Sequence, residues 1–192
     1  MTLDALEFNK KTGVENIIYQ NQQKNLLDFW QWAYSDLVGN TERGILAEYI
    51  VALACGIDNR VRISWDAFDM ELDNGIKIEV KSSAYIQTWK QKDFSKIIFN
   101  IPKTYAWNYK ENIYETEKKR QADVYVFAVL AHKDQETLNP LDTNQWEFYV
   151  VNTNELNKQI GDAKQISIGK ILKTNHLKCS FDGLLDCINF IS

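Results

Sequence analysis

The sequence has few histidines, prolines and cysteines, and each shortage argues against a class of protein. Its two histidines, His132 and His176, form no H-E-x-x-H motif, which weakens His-dependent nuclease, triad hydrolase and metalloprotease interpretations. Two prolines argue against long disordered linkers. No Gly-rich phosphate-binding loop is present, so an NTPase is not expected.

Cysteine and long apolar runs are also scarce. Cys55, Cys179 and Cys187 are an odd number without a C-x-x-C pair, so neither a zinc knuckle nor a disulfide framework is predicted. We expect them to be buried thiols in a reducing compartment. The longest apolar run, Val124 to Ala131, is too short to cross a bilayer, and the first residues lack the apolar stretch of a signal peptide. The expected location is cytoplasmic, without a membrane partner.

What is present is an ordinary globular composition, with 45% hydrophobic and 25% charged residues in 192. This length suits one domain, and we predict a single domain over 1–192, with 1–40 as an N-terminal helical extension packed on it. Apolar residues from Val14 to Leu37 recur at helical intervals. Within them, Phe29, Trp30 and Trp32 are expected in the core or in a subunit contact, and the second option implies a homodimer.

The stretch from Ile63 to Gln91 predicts a β-hairpin around the turn Asp73-Asn74-Gly75. A three-residue loop would place Met70 opposite Ile78 and Asp69 opposite Glu79. A two-residue Asn74-Gly75 turn would instead scatter the apolar side chains over the charged face, so the first register is favoured. Its apolar face would consist of Phe68, Met70, Leu72, Ile76, Ile78 and Val80.

The other face of this hairpin would carry Asp69, Glu79 and Lys81. Directly opposite residues have Cβ atoms about 4.5–5.5 Å apart, so two carboxylates could share one ion. Two hard oxygen ligands with room for water and phosphate suit Mg²⁺. Asp66 falls on the apolar side of this register and is the main rival to Asp69 as a ligand.

These residues resemble the PD-(D/E)XK nuclease superfamily over about Thr41 to Gln91. The matching order is a helix with Gly44-x-x-x-Glu48, an acidic strand, a turn, and Ile78-Glu79-Val80-Lys81-Ser82-Ser83. The resemblance implies an α/β fold, the restriction-endonuclease-like three-layer domain with a central mixed β-sheet flanked by helices. It also implies an endonuclease with Mg²⁺, or Mn²⁺ as substitute, held by Asp69 and Glu79, with Lys81 and Glu48 completing the catalytic set.

The remaining elements follow from apolar patterns and caps. We predict a helix from Asn40 or Thr41 to Cys55, a first strand beginning over Arg60 to Ser64, and a third strand over Ser95 to Ile101. Further strands are predicted at Asp123 to Ala131 and Trp146 to Val151. Helices are predicted from Asn152 or Thr153 to Ile160, from Gly169 to Lys173 and from about Asp182 to Asn189, with the segment Gln165 to Ile168 before the second of them.

The expected partner is nucleic acid, with DNA as the first choice. The net charge of −4 does not favour it, but Lys77 to Arg120 holds ten Lys or Arg against five Asp or Glu. Gln87, Gln91 and Ser82 are candidate substrate contacts, and aromatic and basic residues alternate from Lys103 to Arg120, as in surfaces that bind nucleic acid. The alternative is an inactive nucleic-acid-binding protein or an oligomeric scaffold with the same fold.

Overall fold

The computed structural model describes residues 6–19, 22–64, 66–108 and 111–192. The strands in chain order are β1 (Asn16–Tyr19), β2 (Gln22–Asn25), β3 (Met70–Glu71), β4 (Lys77–Ala84), β5 (Ile98–Asn100), β6 (Thr104–Asn108), β7 (Ile113–Lys119), β8 (Val124–Leu130), β9 (Trp146–Asn152), β10 (Gln165–Ser167) and β11 (Leu177–Cys179). The α-helices are α1 (Leu26–Tyr34), α2 (Asn40–Ala54), α3 (Thr153–Ile160), α4 (Ile168–Ile171) and α5 (Leu184–Ile191).

A five-stranded sheet in the order β11-β9-β8-β4-β3 lies at the centre of the protein. β4 and β8 are parallel, whereas the other neighbours are antiparallel. The prediction of an α/β protein with a central mixed sheet and several helices is therefore confirmed.

The sheet separates two hydrophobic cores, because successive side chains of a strand point to opposite faces. Every residue of β8 is buried. On one face, Val124 and Val126 join a core that includes Ala47 of α2 and Leu184 of α5. On the other face, a second core contains Tyr125, Phe127 and Val129 of β8, Phe99 of β5, Leu156 of α3 and Ile171 of α4. The catalytic candidates Glu79 and Lys81 face this second core, since they pair with Tyr125 and Phe127.

The N-terminal region differs from the prediction. The helix expected from Val14 is wrong over 16–19 and 22–25, where β1 and β2 pair antiparallel; residues 20 and 21 lie outside the described residues. A helix begins only at Leu26, after a capping box between Asn25 and Asp28. None of the residues of α1 is buried, and Trp32 is 84% exposed, so the core placement expected for Phe29 and Trp32 is wrong. Residues 1–5 of the proposed extension lie outside the described residues.

The predicted register of the central hairpin is confirmed. Met70 pairs with Ile78, and the Leu72 amide donates to the Ile76 carbonyl at 2.9 Å. Gly75 has φ +87°, the left-handed conformation that the three-residue loop requires. Two details were wrong. The segment 60–64 is not a strand, and Phe68 packs against the second core because the strand begins only at Met70, so alternation does not extend back to residue 68.

The capped helices lie close to their predicted bounds. α2 covers Asn40–Ala54 and is followed by Gly56 with φ +69°. α3 begins after Asn152, whose side chain accepts from the Asn154 amide, and ends at Gly161. The strand expected over 95–101 is confined to Ile98–Asn100, while β11 and the exposed β6–β7 hairpin were not predicted.

The three cysteines carry no disulfide and are half-buried instead of fully buried. Among the described residues, no helix combines the length and apolar character needed to cross a membrane.

Candidate active site

Asp69 and Glu79 lie side by side at the end of the short edge strand. The Asp69 amide donates to the Ile78 carbonyl at 3.0 Å, so Asp69 continues the β3–β4 register and stands opposite Glu79. One carboxylate oxygen of Asp69 accepts from the Val80 amide at 2.7 Å. Among the described residues its other oxygen has no hydrogen-bond partner. The strand ladder therefore fixes the Asp69 carboxylate beside Glu79.

Lys81 lies two residues after Glu79 on the same face of β4. Its ammonium forms an ion pair with the Glu79 carboxylate, and both side chains are largely buried. Burial alone would lower the pKa of Lys81, but the negative charges of Glu79 and Asp69 raise it above its usual value. Lys81 is therefore a fixed positive charge at neutral pH.

Glu48 approaches the same place from α2. Its two carboxylate oxygens accept from Arg62, one of them from Nη2 at 2.9 Å and the other from Nε. The Glu48 side chain is only 13% exposed, and burial raises its pKa although the Arg62 hydrogen bonds act against this. The charge of Glu48 also acts on those of Asp69, Glu79 and Lys81. The structure thus brings together all four residues of the predicted catalytic set.

Burial and repulsion between carboxylates dominate the electrostatics of this cluster. Burial, followed by the charge of Asp69, raises the pKa of Glu79 to about 7, and Lys81 offsets only part of this. Burial also raises the pKa of Asp69, against the effects of Lys81, the Val80 amide and Arg62. An added positive charge would stabilise the ionised form of carboxyl groups that resist ionisation in this way. Perturbed pKa values of this kind cluster at functional sites.

A cavity of about 460 Å³ opens beside Glu48 and Asp69. It is bounded by α2, by the segment 57–63 and by the edge strand, and Arg60 and Arg62 add positive charge to its wall. Asp66, the predicted rival of Asp69, is exposed and lines the same cavity. A small polar ligand can therefore reach the carboxylate cluster from this side.

The donor set suits a hard divalent cation, although the groups are not arranged as a finished cage. Within the described ranges, no three His, Cys, Asp or Glu side chains are placed to hold a metal ion together. However, Asp69 and Glu79 are two buried carboxylates whose charges repel each other, and Mg²⁺ is commonly held by one or two carboxylates together with water and substrate phosphate. These residues fit Mg²⁺, provided that Glu79 exchanges its contact with Lys81 for the ion.

The predicted substrate contacts lie elsewhere. Gln87 is buried, and its amide nitrogen donates to the Ala84 carbonyl at 2.8 Å. Gln91 bonds the backbone of its own loop, which is not helical. By alternation along β4, Ser82 lies on the face opposite to Glu79 and Lys81. The two glutamines therefore stabilise the loop after β4 through hydrogen bonds to its backbone.

Arg43 connects this loop to the beginning of α2. Its Nη1 donates to the Val38 carbonyl at 2.8 Å and to Gln87 Oε1 at 3.3 Å. Burial lowers the pKa of Arg43 to about 10, which still leaves it charged at neutral pH. Its buried Nε has no hydrogen-bond partner among the described residues.

Sequence analysis missed Arg62 and Tyr125. Arg62 is separated from Glu48 by 14 positions, and nothing in its local pattern identifies its partner. Tyr125 pairs with Glu79 across β4 and β8, and burial followed by the charge of Glu79 raises its pKa well above the usual value. The apolar run at 124–130 was the usable signal, because a strand buried on both faces is expected next to β4 in the sheet, and that pairing places Tyr125 beside Glu79.

The fold and the site together define a mixed α/β protein with a buried cluster of carboxylates and a lysine at the edge of its sheet. The family model of bacteriophage T4 endonuclease IV matches residues 7–168. The chain therefore belongs to the bacteriophage T4 endonuclease IV family and is a nuclease that acts on nucleic acid. No curated protein and no solved structure gives a significant match.

Proposed function

We propose that this protein is a metal-dependent endonuclease of the PD-(D/E)XK type, which hydrolyses phosphodiester bonds in DNA. The observation that carries the proposal is the opposed pair of buried carboxylates, Asp69 and Glu79, with the Lys81 ammonium beside them. Membership of an endonuclease family supports the reaction class. The order of helix, acidic strand and I-E-V-K strand, now seen to converge, supports the superfamily and its restriction-endonuclease-like fold.

Asp69 and Glu79 would hold Mg²⁺, or Mn²⁺ in its place. When bound, the ion would polarise the phosphate and lower the pKa of a coordinated water. Since the ladder fixes Asp69 through the Val80 amide, this carboxylate needs no rearrangement to serve as a ligand. Glu48, held by Arg62, would place a negative charge near the ion without binding the ion directly.

Lys81 would act through its charge. Because its pKa is raised, it is a poor general base at neutral pH, and its ammonium is suited to orient the attacking water or to neutralise charge on the phosphoryl oxygens. Hydrolysis adds one water molecule across the P–O bond, with the hydroxyl going to phosphorus and a proton to the leaving oxygen. The chain's contribution is mainly electrostatic placement.

The test is cleavage of DNA with Mg²⁺ by the Glu79→Gln and Lys81→Met variants. Each removes one charge at nearly constant volume, and we expect at least a hundredfold loss of rate in variants that stay folded. The matched control is Glu7→Gln, an exposed acid that does not line the cavity beside Glu48, which should keep the parent rate. Full activity in either site variant would remove the proposed site.

Metal binding is tested separately by calorimetry with Mn²⁺. Asp69→Asn should weaken binding strongly, since it removes one of two ligands. If binding in Asp69→Asn equalled that of the parent, the ligand would be Asp66 or another residue. Asp66→Asn is therefore the paired variant in this experiment.

A second candidate is a nucleic-acid-binding protein without catalysis. It is favoured by the pairing of Glu79 with Lys81 and of Glu48 with Arg62, which satisfies both acids without a metal. In that case, chelators would not affect DNA binding and no cleavage would occur with any divalent ion. A homodimer and a cytoplasmic location stay predictions, and sedimentation of the purified protein would test the former.

A further inference from the structure

The loop after β4, residues 85–96, has a fixed shape although its outer side chains are exposed. The Gln91 carboxamide accepts from the Gln87 amide at 2.7 Å and donates to the Tyr85 carbonyl at 3.1 Å and to Ser95 Oγ at 3.0 Å. The Ser95 amide closes the loop by donating to the Tyr85 carbonyl at 2.9 Å. A loop held in this way presents its outward side chains in a preformed arrangement.

Two aromatic rings on this loop are exposed to solvent. Trp89 and Phe94 are each 54% exposed. The rings of Phe94 and Tyr85 meet edge to face, with 6.2 Å between their centroids. The ammonium of Lys133 lies 4.2 Å from the Tyr85 ring centroid. Lys133 is also 5.8 Å from the Phe94 centroid. The Tyr85 and Phe94 rings and the Lys133 ammonium therefore form one surface, and Trp89 is exposed on the same loop, a combination typical of proteins that stack on bases and contact phosphates.

The loop part of this surface carries a net positive charge within an acidic protein. We define the whole surface as the lysine–aromatic platform, which consists of Trp89, Phe94, Lys90, Lys92, Lys96 and Lys133. The loop itself carries three lysines against one acid, Asp93, whereas the whole chain has a net charge of −4. In the part of the chain that the structure describes, Lys90, Lys92 and Lys96 are exposed and form no ion pair. A concentration of uncompensated cations favours a polyanion.

The β6–β7 hairpin, which covers most of the basic segment predicted from the sequence, lacks this charge. Over 104–119 three lysines are balanced by three glutamates, and Lys119 pairs with Glu115 at 3.0 Å. Tyr109 and Lys110 of that segment lie outside the described residues. Of the net charge of +5 between 77 and 120, the segment before the hairpin therefore carries +4, and the loop after β4 contributes +2 of this.

Tyr85, which contacts Phe94 and Lys133 of the platform, lies on the same side of the sheet as the carboxylate–lysine cluster. Glu79, Lys81 and Ser83 lie on the same face of β4, because every second side chain of a strand points the same way. Tyr85 follows the strand and packs against the second core on that face. Four residues of extended chain from Lys81 to Tyr85 span about 13 Å. At about 3.4 Å per nucleotide along one strand of a duplex, this corresponds to roughly four nucleotides.

We propose that the lysine–aromatic platform is a nucleic-acid contact surface that holds the substrate a few nucleotides from the scissile phosphate. Its lysines contact phosphates, while Trp89 and Phe94 pack against bases or sugars. This inference rests on the proposed function for the class of substrate. It adds a binding site that is separate from the reacting groups.

The test is DNA binding with a chelator present, so that no cleavage occurs. The probe is a fluorescein-labelled 24-nucleotide DNA of mixed sequence, offered as a single strand and as a duplex, and affinity is measured over a series of salt concentrations. The triple variant Lys90→Ala/Lys92→Ala/Lys96→Ala should lower the salt slope by about 2 to 3. Its affinity at 0.1 M salt should fall on the order of a hundredfold.

The matched control is Lys158→Ala/Lys170→Ala/Lys173→Ala, which removes the same charge from exposed positions in the C-terminal third of the chain. It should keep a slope close to that of the parent. Trp89→Ala should weaken binding roughly five- to a hundredfold, with little change of slope, because it removes stacking and no charge. The form of DNA that loses more affinity in Trp89→Ala is the form that presents its bases to the platform.

Equal slopes for the two triple variants would overturn the proposal, as would a parent that binds neither form of DNA. These outcomes are separate from those of the cleavage test. If Glu79→Gln keeps its activity while the platform variants lose binding, the catalytic assignment fails and the platform stands. If Glu79→Gln is inactive but the platform variants bind like the parent, the platform fails and the catalytic assignment stands.

Discussion

Replacing Glu79 by glutamine should change how the stability of the protein depends on pH. In the folded protein, burial and the charge of Asp69 raise the pKa of Glu79 from 4.5 to about 7. A raised pKa means that the folded state holds the proton more tightly than the unfolded chain. The resulting stability is complete below pH 4.5 and is lost as the pH rises through 7.

The size of the effect follows from this shift. At about 1.4 kcal/mol per pKa unit, the full change is about 3.5 kcal/mol, of which ~2–3 kcal/mol falls between pH 5 and pH 8. The Glu79 side chain is only 18% exposed, so solvent screening reduces this little. Glutamine does not titrate, and Glu79→Gln should therefore lose less stability than the parent over this pH range, whatever its absolute stability.

Urea unfolding at pH 5, 6, 7 and 8 with a chelator, followed by tryptophan fluorescence, measures this difference. The slope of free energy against urea should stay constant, so that changes of midpoint report stability. Glu71→Gln is the control for removal of an acid from the same hairpin, and it should follow the parent. Parallel curves for the parent and Glu79→Gln would refute the reasoning, because they would mean that folding does not alter proton binding at Glu79.

Three further predictions follow from neighbouring contacts. Mg²⁺ should raise the melting temperature more at pH 8 than at pH 6, because at pH 6 the ion must displace a proton from Glu79. An equal rise of the melting temperature at both pH values would contradict this. Arg62→Ala should lower the free energy of unfolding by about 1–3 kcal/mol at pH 8, because it leaves the Glu48 carboxylate buried without its donor. Since burial raises the pKa of Glu48, the loss should shrink as the pH falls, and a loss independent of pH in urea titrations would argue against the pairing. Gln91→Ala should speed tryptic cleavage at Lys90 and Lys92 severalfold by removing the bonds that hold their loop, whereas Gln121→Ala, which removes one exposed bond to the Thr104 carbonyl, should not.

The hairpin that bears Asp69 and Glu79 could be predicted from sequence because several local signals agreed. The Asp73-Asn74-Gly75 turn allowed two registers, and only one kept Met70 and Ile78 on the apolar face. The buried runs of β8 and β9 and the Asn152 cap were equally explicit. Where turn chemistry, alternation and burial point to one arrangement, sequence patterns determine the geometry.

The N-terminal hairpin could not be found by the same method. Ile17 and Ile18 fit a helical interval with the apolar residues that follow, but they are also β-prone, and periodicity does not distinguish short runs of this kind. The capping box of Asn25 and Asp28 was the usable signal, since it starts a helix after the hairpin instead of within it. Pairings such as Glu48 with Arg62 depend on the path of a loop between them, which local patterns do not specify.

The buried guanidinium of Arg43 has a mechanical consequence. It joins the first turn of the helix that bears Glu48 to the base of the loop that bears Trp89. Glu48 follows Arg43 by about 7.5 Å along the helix axis, less than one and a half turns. A displacement of this loop would therefore act on the helix that bears Glu48 through Arg43, alongside the direct packing of α2 on β4.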